Sequence, residues 1–206
     1  MRNQVLHFYA RALAGFAAIL LAPGLAFADT QINVSDNGGQ AVQDAVVYLE
    51  LPAGPQTAKS ANAEIQQKDK KFIPFVTVVQ TGTSISFPNN DTVRHHAYSF
   101  SPAKPFELKL YSGKPAAPVI FDKAGTVIVG CNIHDQMVAY IHIVDTPYFA
   151  KTDGRGMAKL PTVPTGKYIL KTWHPKLPPN TTIQEQSLQI DGNPATVNVK
   201  LNYKAG

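Results

Sequence analysis

This 206-residue chain is short of several things, and each shortage narrows what it can do. It has one cysteine, Cys131, so no disulfide can form within it. Lysine and arginine are scattered rather than clustered, which argues against a nucleic-acid-binding face. Apolar residues run on only near the start, from Ala12 to Leu21, well short of the ~20 needed to span a membrane. No nucleophile-elbow motif, H-E-x-x-H motif or obvious carboxylate pair placed for acid–base work is present, so the chain is not read as an enzyme. After Asp29 there is no helical periodicity.

What is present at the N-terminus is a targeting signal. Met1 to Arg11 carries Arg2 and Arg11 and no acid, an apolar segment follows, and Pro23 and Gly24 interrupt it. Ala26-Phe27-Ala28 is a small-x-small cleavage site. Residues 1–28 therefore read as a secretory signal peptide cleaved after Ala28, with a periplasmic protein and no membrane span left behind. Without Arg2 and Arg11 the formal charge falls from +5 to +3 over residues 29–206, mildly basic and spread out.

The remaining sequence reads as β structure throughout, with short strands between regular turns. Strand signals cover 31–34, 45–51, 75–79, 84–87, 119–121, 126–131 and 138–144. Residues 52–71 read as a long loop, with room for a short helical turn around 61–67. On the strand 138–144, Ala139, Ile141 and Ile143 face inward while Tyr140 and His142 face outward. From Asp145 the spacing changes, and strands at 168–173, 187–190 and 196–201 make a second, smaller β unit. The first strands can pair with either half. The expected organisation is all-β: a sandwich domain over 29–146 followed by a small β domain over 147–206.

The lone cysteine sits in Gly130-Cys131-Asn132-Ile133-His134-Asp135-Gln136-Met137. This is a thiolate, an imidazole and a thioether spaced C-x2-H-x2-M at the end of a strand. More imidazoles lie upstream at His95 and His96, which face opposite sides of their strand, so only one of them can point into a given site. One thiolate, two imidazoles and a weak axial Met form the donor set of a mononuclear blue-copper site. An unpaired cysteine in an exported chain fits a liganded thiol. A dinuclear copper centre would need two bridging thiolates. A multicopper oxidase would need His-x-His pairs and histidines flanking the cysteine, where Gly130 and Asn132 stand.

The stretch Val79-Gln80-Thr81-Gly82, Ile85, Phe87, Asn89, Asp91 and His95, with Phe121, Gly125 and Cys131-x2-His134-x2-Met137, resembles the cupredoxin family. It is similar to the short-loop amicyanin and plastocyanin-like branch, and to the periplasmic plastocyanin-like proteins called methylamine utilization proteins. The resemblance covers residues 72–146 and implies a Greek-key β-sandwich holding one type 1 copper per chain. It implies His95, Cys131 and His134 as equatorial ligands and Met137 as the axial one. It favours His95 over His96, because His96 stands where the family usually has Asn. Many short-loop members carry Pro where this chain has Asp135, and aromatic residues where it has Val127 and Val129. The stretch 152–170 resembles carboxypeptidase-regulatory or transthyretin-like β-sandwich modules. His142 and His174 read as structural or exposed rather than as ligands.

The resemblance and the donor set together imply a carrier of single electrons between periplasmic redox proteins. Two alternatives use the same residues: a periplasmic copper carrier or chaperone, whose site is open and exchangeable, and an accessory protein on a cupredoxin scaffold without electron transfer.

Overall fold

A computed structural model describes residues 27–58, 61–115, 117–178 and 183–203. Among these the chain forms nineteen strands and no helix. The first six are β1 (Phe27–Ala28), β2 (Thr30–Ser35), β3 (Val46–Glu50), β4 (Asn62–Glu64), β5 (Gln66–Lys68) and β6 (Lys71–Ile73). Next come β7 (Val76–Gln80), β8 (Thr83–Ser86), β9 (His95–Ser99), β10 (Phe106–Tyr111), β11 (Val119–Phe121), β12 (Gly125–Cys131) and β13 (Val138–Val144). The last are β14 (Phe149–Lys151), β15 (Met157–Lys159), β16 (Val163–Pro164), β17 (Gly166–Trp173), β18 (Gln184–Ile190) and β19 (Ala195–Lys200).

Two sandwiches result, each with its own apolar centre. In the first, a five-stranded sheet ordered β10-β9-β12-β13-β7 faces a three-stranded sheet ordered β11-β8-β4. Period-2 alternation sends Val127, Val129 and Cys131 inward from β12, and Ala139, Ile141 and Ile143 inward from β13, to meet Ile85, Phe87 and Phe121. In the second, β14-β3-β17-β18 faces β15-β2-β19 around Ile32, Val34, Leu49, Leu160, Leu170 and Val199.

This arrangement corrects the division at residue 146. Strands β2 and β3 pair with β15, β19, β14 and β17, all from the C-terminal stretch. The second sandwich is therefore built from both ends of the chain, and the metal-site half is inserted between its strands. The reason is burial. The inward residues of β2 and β3, Ile32, Val34, Val47 and Leu49, are buried in the core shared with the C-terminal strands. The expected signal peptide falls outside the described residues apart from Phe27–Ala28, which form β1 against β16.

The expectation of a loop or helical turn over 52–71 also gives way. Residues 62–73 hold β4 and the hairpin β5–β6, whose register pairs Lys68 with Lys71 across a two-residue turn. That turn is Asp69-Lys70, both at positive φ (51° and 54°), a mirror-image turn made without the usual glycine. Strand β10 is a further element that the sequence pattern did not signal.

The two sandwiches meet over the outer face of β13. His142 is 3 % exposed, stacks on Trp173 at 4.6 Å and 14°, and shares a 3.0 Å hydrogen bond between Nδ1 and the Thr126 hydroxyl. Tyr48 approaches the same ring, Tyr140 packs on Trp173, and Lys151 Nζ donates to the Val76 carbonyl.

Two expected outcomes follow from this packing. Burial pushes the His142 pKa down to about 4, whereas the unfolded chain titrates near 6.5. Because the folded value is the lower one, the unfolded state takes up the proton first on acidification. Stability is whole above about pH 6.5 and declines toward pH 4, by roughly 3 kcal/mol from this ring. Urea unfolding should show a steeper loss over that window for the wild type than for His142→Asn; equal slopes would contradict the assignment. A chain ending at residue 146 strands the inward faces of β2 and β3, so it should bind an apolar dye that the full chain does not. Absence of dye binding would show that these strands find other partners.

Candidate metal centre

Strand β12 ends at Cys131, and alternation drives its thiol into the apolar interior, where the residue is 4 % exposed. Beside it, β9 begins at His95, which is 0 % exposed. Antiparallel pairing of Cys131 with Ala97 fixes the two strands in register at this end of the sheet. The chain then turns through Asn132 and Ile133 and brings His134 back over the thiol. The Met137 N–H donates to the His134 carbonyl at 2.9 Å and closes the loop.

The result is a compact group of donors. Cys131 Sγ lies 3.8 Å from His95 Nδ1 and 3.7 Å from His134 Nδ1. All three donor atoms lie within 4.8 Å of one another. Metal–sulfur bonds of about 2.3 Å and metal–nitrogen bonds of about 2.0–2.1 Å, spread by about 110–120°, separate sulfur from nitrogen by about 3.5–3.8 Å. Both sulfur–nitrogen separations match that span, so the donor set fits a single ion. The two imidazole rings meet at 4.9 Å in a T-shaped contact. Met137, 1 % exposed, belongs to the same buried cluster as Cys131.

The upstream histidine is oriented from behind. His95 Nε2 lies 3.0 Å from Asp91 Oδ2. The Asp91 carboxyl is held down at about 2, chiefly by the backbone N–H of Lys70 and then by the His95 ring. An ionised carboxylate only accepts, so the proton resides on Nε2 and the Nδ1 lone pair is left facing Cys131. Asn89 secures the loop between them. Its amide donates to the Val93 and Tyr111 carbonyls at 2.9 and 2.8 Å, and its oxygen accepts from the Asp91 N–H at 3.0 Å.

Deeper in, Gln67 is 0 % exposed and its Nε2 donates to the Phe87 carbonyl at 3.1 Å and to the Tyr111 hydroxyl. Tyr111 in turn donates to the Phe87 carbonyl at 2.6 Å. Gln67 Oε1 has no hydrogen-bond partner. A buried acceptor in that state costs about 1–3 kcal/mol.

The other histidines among the described residues take no part. His96 points to the opposite face of β9, with Nε2 3.1 Å from Glu107 Oε1 and its ring against Tyr98. His142 is in the contact between the sandwiches. His174 is buried against Tyr203, with Nε2 3.1 Å from the Gln43 carbonyl.

No family model matches this chain, and no curated protein matches it. Solved structures do. A purple cupredoxin from Nitrosopumilus maritimus is 18 % identical, over 39 % of this chain and 98 % of that one, with a TM-score of 0.35. A reduced amicyanin is 18 % identical, over 47 % of this chain and 98 % of that one, with a TM-score of 0.36. A copper-containing nitrite reductase from Thermus scotoductus is 20 % identical, over 55 % of this chain and 28 % of that one, with a TM-score of 0.39. Its structural neighbours are cupredoxins. At these scores the likeness adds no weight to the donor geometry, which stands on the chain's own residues.

Of the four residues expected from the sequence, the fold brings the donor atoms of His95, Cys131 and His134 together and buries Met137 in the same core. Asp91, Asn89, Gln67 and Tyr111 were not expected as supports. Their only signal is local, since Asp91 stands four residues before His95 in a turn-rich stretch. His95→Ala should abolish tight copper binding in a competition titration, whereas His96→Ala should leave the affinity within a few-fold. The reverse pattern would place the other imidazole in the site.

Proposed function

We propose that this chain is an exported, periplasmic, mononuclear type 1 copper protein that carries single electrons between redox proteins and transforms no substrate. The observation that carries the reading is the buried Cys131 thiol with an imidazole nitrogen 3.7 Å away on one side and another 3.8 Å away on the other. His95, Cys131 and His134 would hold the metal equatorially, with Met137 as the weak axial donor. Bound copper would supply a one-electron Cu(I)/Cu(II) couple, and thiolate and thioether donors suit the reduced ion.

The residues divide the remaining work by exposure. His95 is sealed from solvent and locked by Asp91, so that side of the site stays fixed and dry. His134 is half-buried and is the donor that reaches the surface. Around it stand Ile133, 50 % exposed, and the exposed Asp135 and Gln136. An electron leaving through the His134 ring edge would meet a mixed rather than purely apolar patch, which suits a partner with polar groups at its docking face.

Delivery of copper to a partner is the second reading, favoured by the partial exposure of His134 alone. Full burial of Cys131 and His95 weighs against rapid exchange. The carrier reading predicts an intense thiolate-to-Cu(II) band in the visible that vanishes in Cys131→Ser, together with reversible one-electron voltammetry. A colourless, redox-silent copper complex would contradict it, and rapid copper loss to a competing chelator would favour delivery.

A further inference from the structure

We propose that the hairpin β5–β6 is a clamp on the upstream side of the metal centre, with Gln67 and Tyr111 as its positioning residues. The inference rests on the copper reading above and assigns work to a segment outside the donor set.

Two grips run from the hairpin to His95. The first is at its turn. The Lys70 N–H donates at 2.8 Å to Asp91 Oδ2, the same oxygen that lies 3.0 Å from His95 Nε2. Lys70 can offer that N–H because Asp69 and Lys70 both hold left-handed backbone angles, a conformation unfavourable for residues with side chains. The second grip is the buried Gln67 amide. Its backbone donates to the Pro88 carbonyl and accepts from the Asn90 N–H, both at 2.8 Å. Its side chain reaches the Phe87 carbonyl and the Tyr111 hydroxyl. Tyr111 is the cross-strand partner of His95, and Asn89 ties the Tyr111 carbonyl to the loop carrying Asp91.

A glutamine that is 0 % exposed, paired across the hairpin with Phe72, and whose side-chain Oε1 is left without a donor, is a poor choice for packing alone. A leucine would fill the space without that deficit. The polar side chain is accounted for by what its amide holds: the turn before His95 and the strand opposite it. The clamp limits how far His95 can move, so the donor geometry stays the same whichever oxidation state is bound.

The test is copper binding to the full mature protein, read by competition with a chromogenic chelator and by the visible spectrum. Gln67→Leu should lower copper affinity about 10-fold or more and shift the relative intensities of the visible bands, with the circular dichroism unchanged. Tyr111→Phe should act in the same direction, and the double variant should lose less than the product of the two single losses. Leu170→Ala, in the other sandwich, serves as the control for lost stability: its unfolding midpoint should fall while affinity and spectrum stay put. If Gln67→Leu does not fold, Tyr111→Phe decides. A wild-type band that these variants leave unmoved, at unchanged affinity, overturns the clamp alone. A wild-type protein without the band overturns the copper reading and the clamp with it.

Discussion

A thiol and an imidazole, both shut away from water and less than 4 Å apart, impose most of what surrounds them in this protein. Neither group is at ease in an apolar core. The imidazole needs a partner for its second nitrogen, and the Asp91 carboxylate supplies it. That carboxylate needs its own donors and takes one from the Lys70 backbone in the neighbouring hairpin. Each buried polar group thus recruits the next, until the chain from Cys131 reaches the surface through Asp91. On the other side the path is shorter, because His134 itself stands at the boundary with solvent.

The strand order makes this possible. Hydrogen bonds between β9 and β12 bring residues 36 positions apart into the same layer, and the loop to β13 returns His134 to the thiol and Met137 to the same core. The sheet also has a second face, and the other sandwich covers part of it with Trp173 and Tyr48. The strands that carry the donors are therefore held from two sides: by their own core within, and by the stacked His142–Trp173 contact without. Because the second sandwich takes strands from both ends of the chain, the inserted half has its entry and exit anchored in one unit.

The metal-site half was legible because its signals are strong and local. Alternation along 126–131 and 138–144, glycine-bearing turns and the C-x2-H-x2-M spacing each point to a definite geometry. The adjacent histidines were separable by the period of a strand. Other features were not legible, for identifiable reasons. The turn at Asp69-Lys70 carries no glycine, so the hairpin it closes looked like loop. The interior residue of that hairpin is Gln67, a polar side chain at a position where alternation looks for an apolar one. The pairing of β2 with β19 spans more than 160 residues, and no local pattern reports a partner so far away. His142 was placed on the outward face correctly, but its cover comes from Trp173, on a strand of the other sandwich.

The most direct measurement is X-ray absorption spectroscopy at the copper edge on the purified, copper-loaded protein. The account predicts one short copper–sulfur bond together with two imidazole nitrogens, and loss of the short sulfur shell in Cys131→Ser. A first shell of nitrogen and oxygen alone would contradict it, because the thiol at the centre of the arrangement would then not be holding the metal.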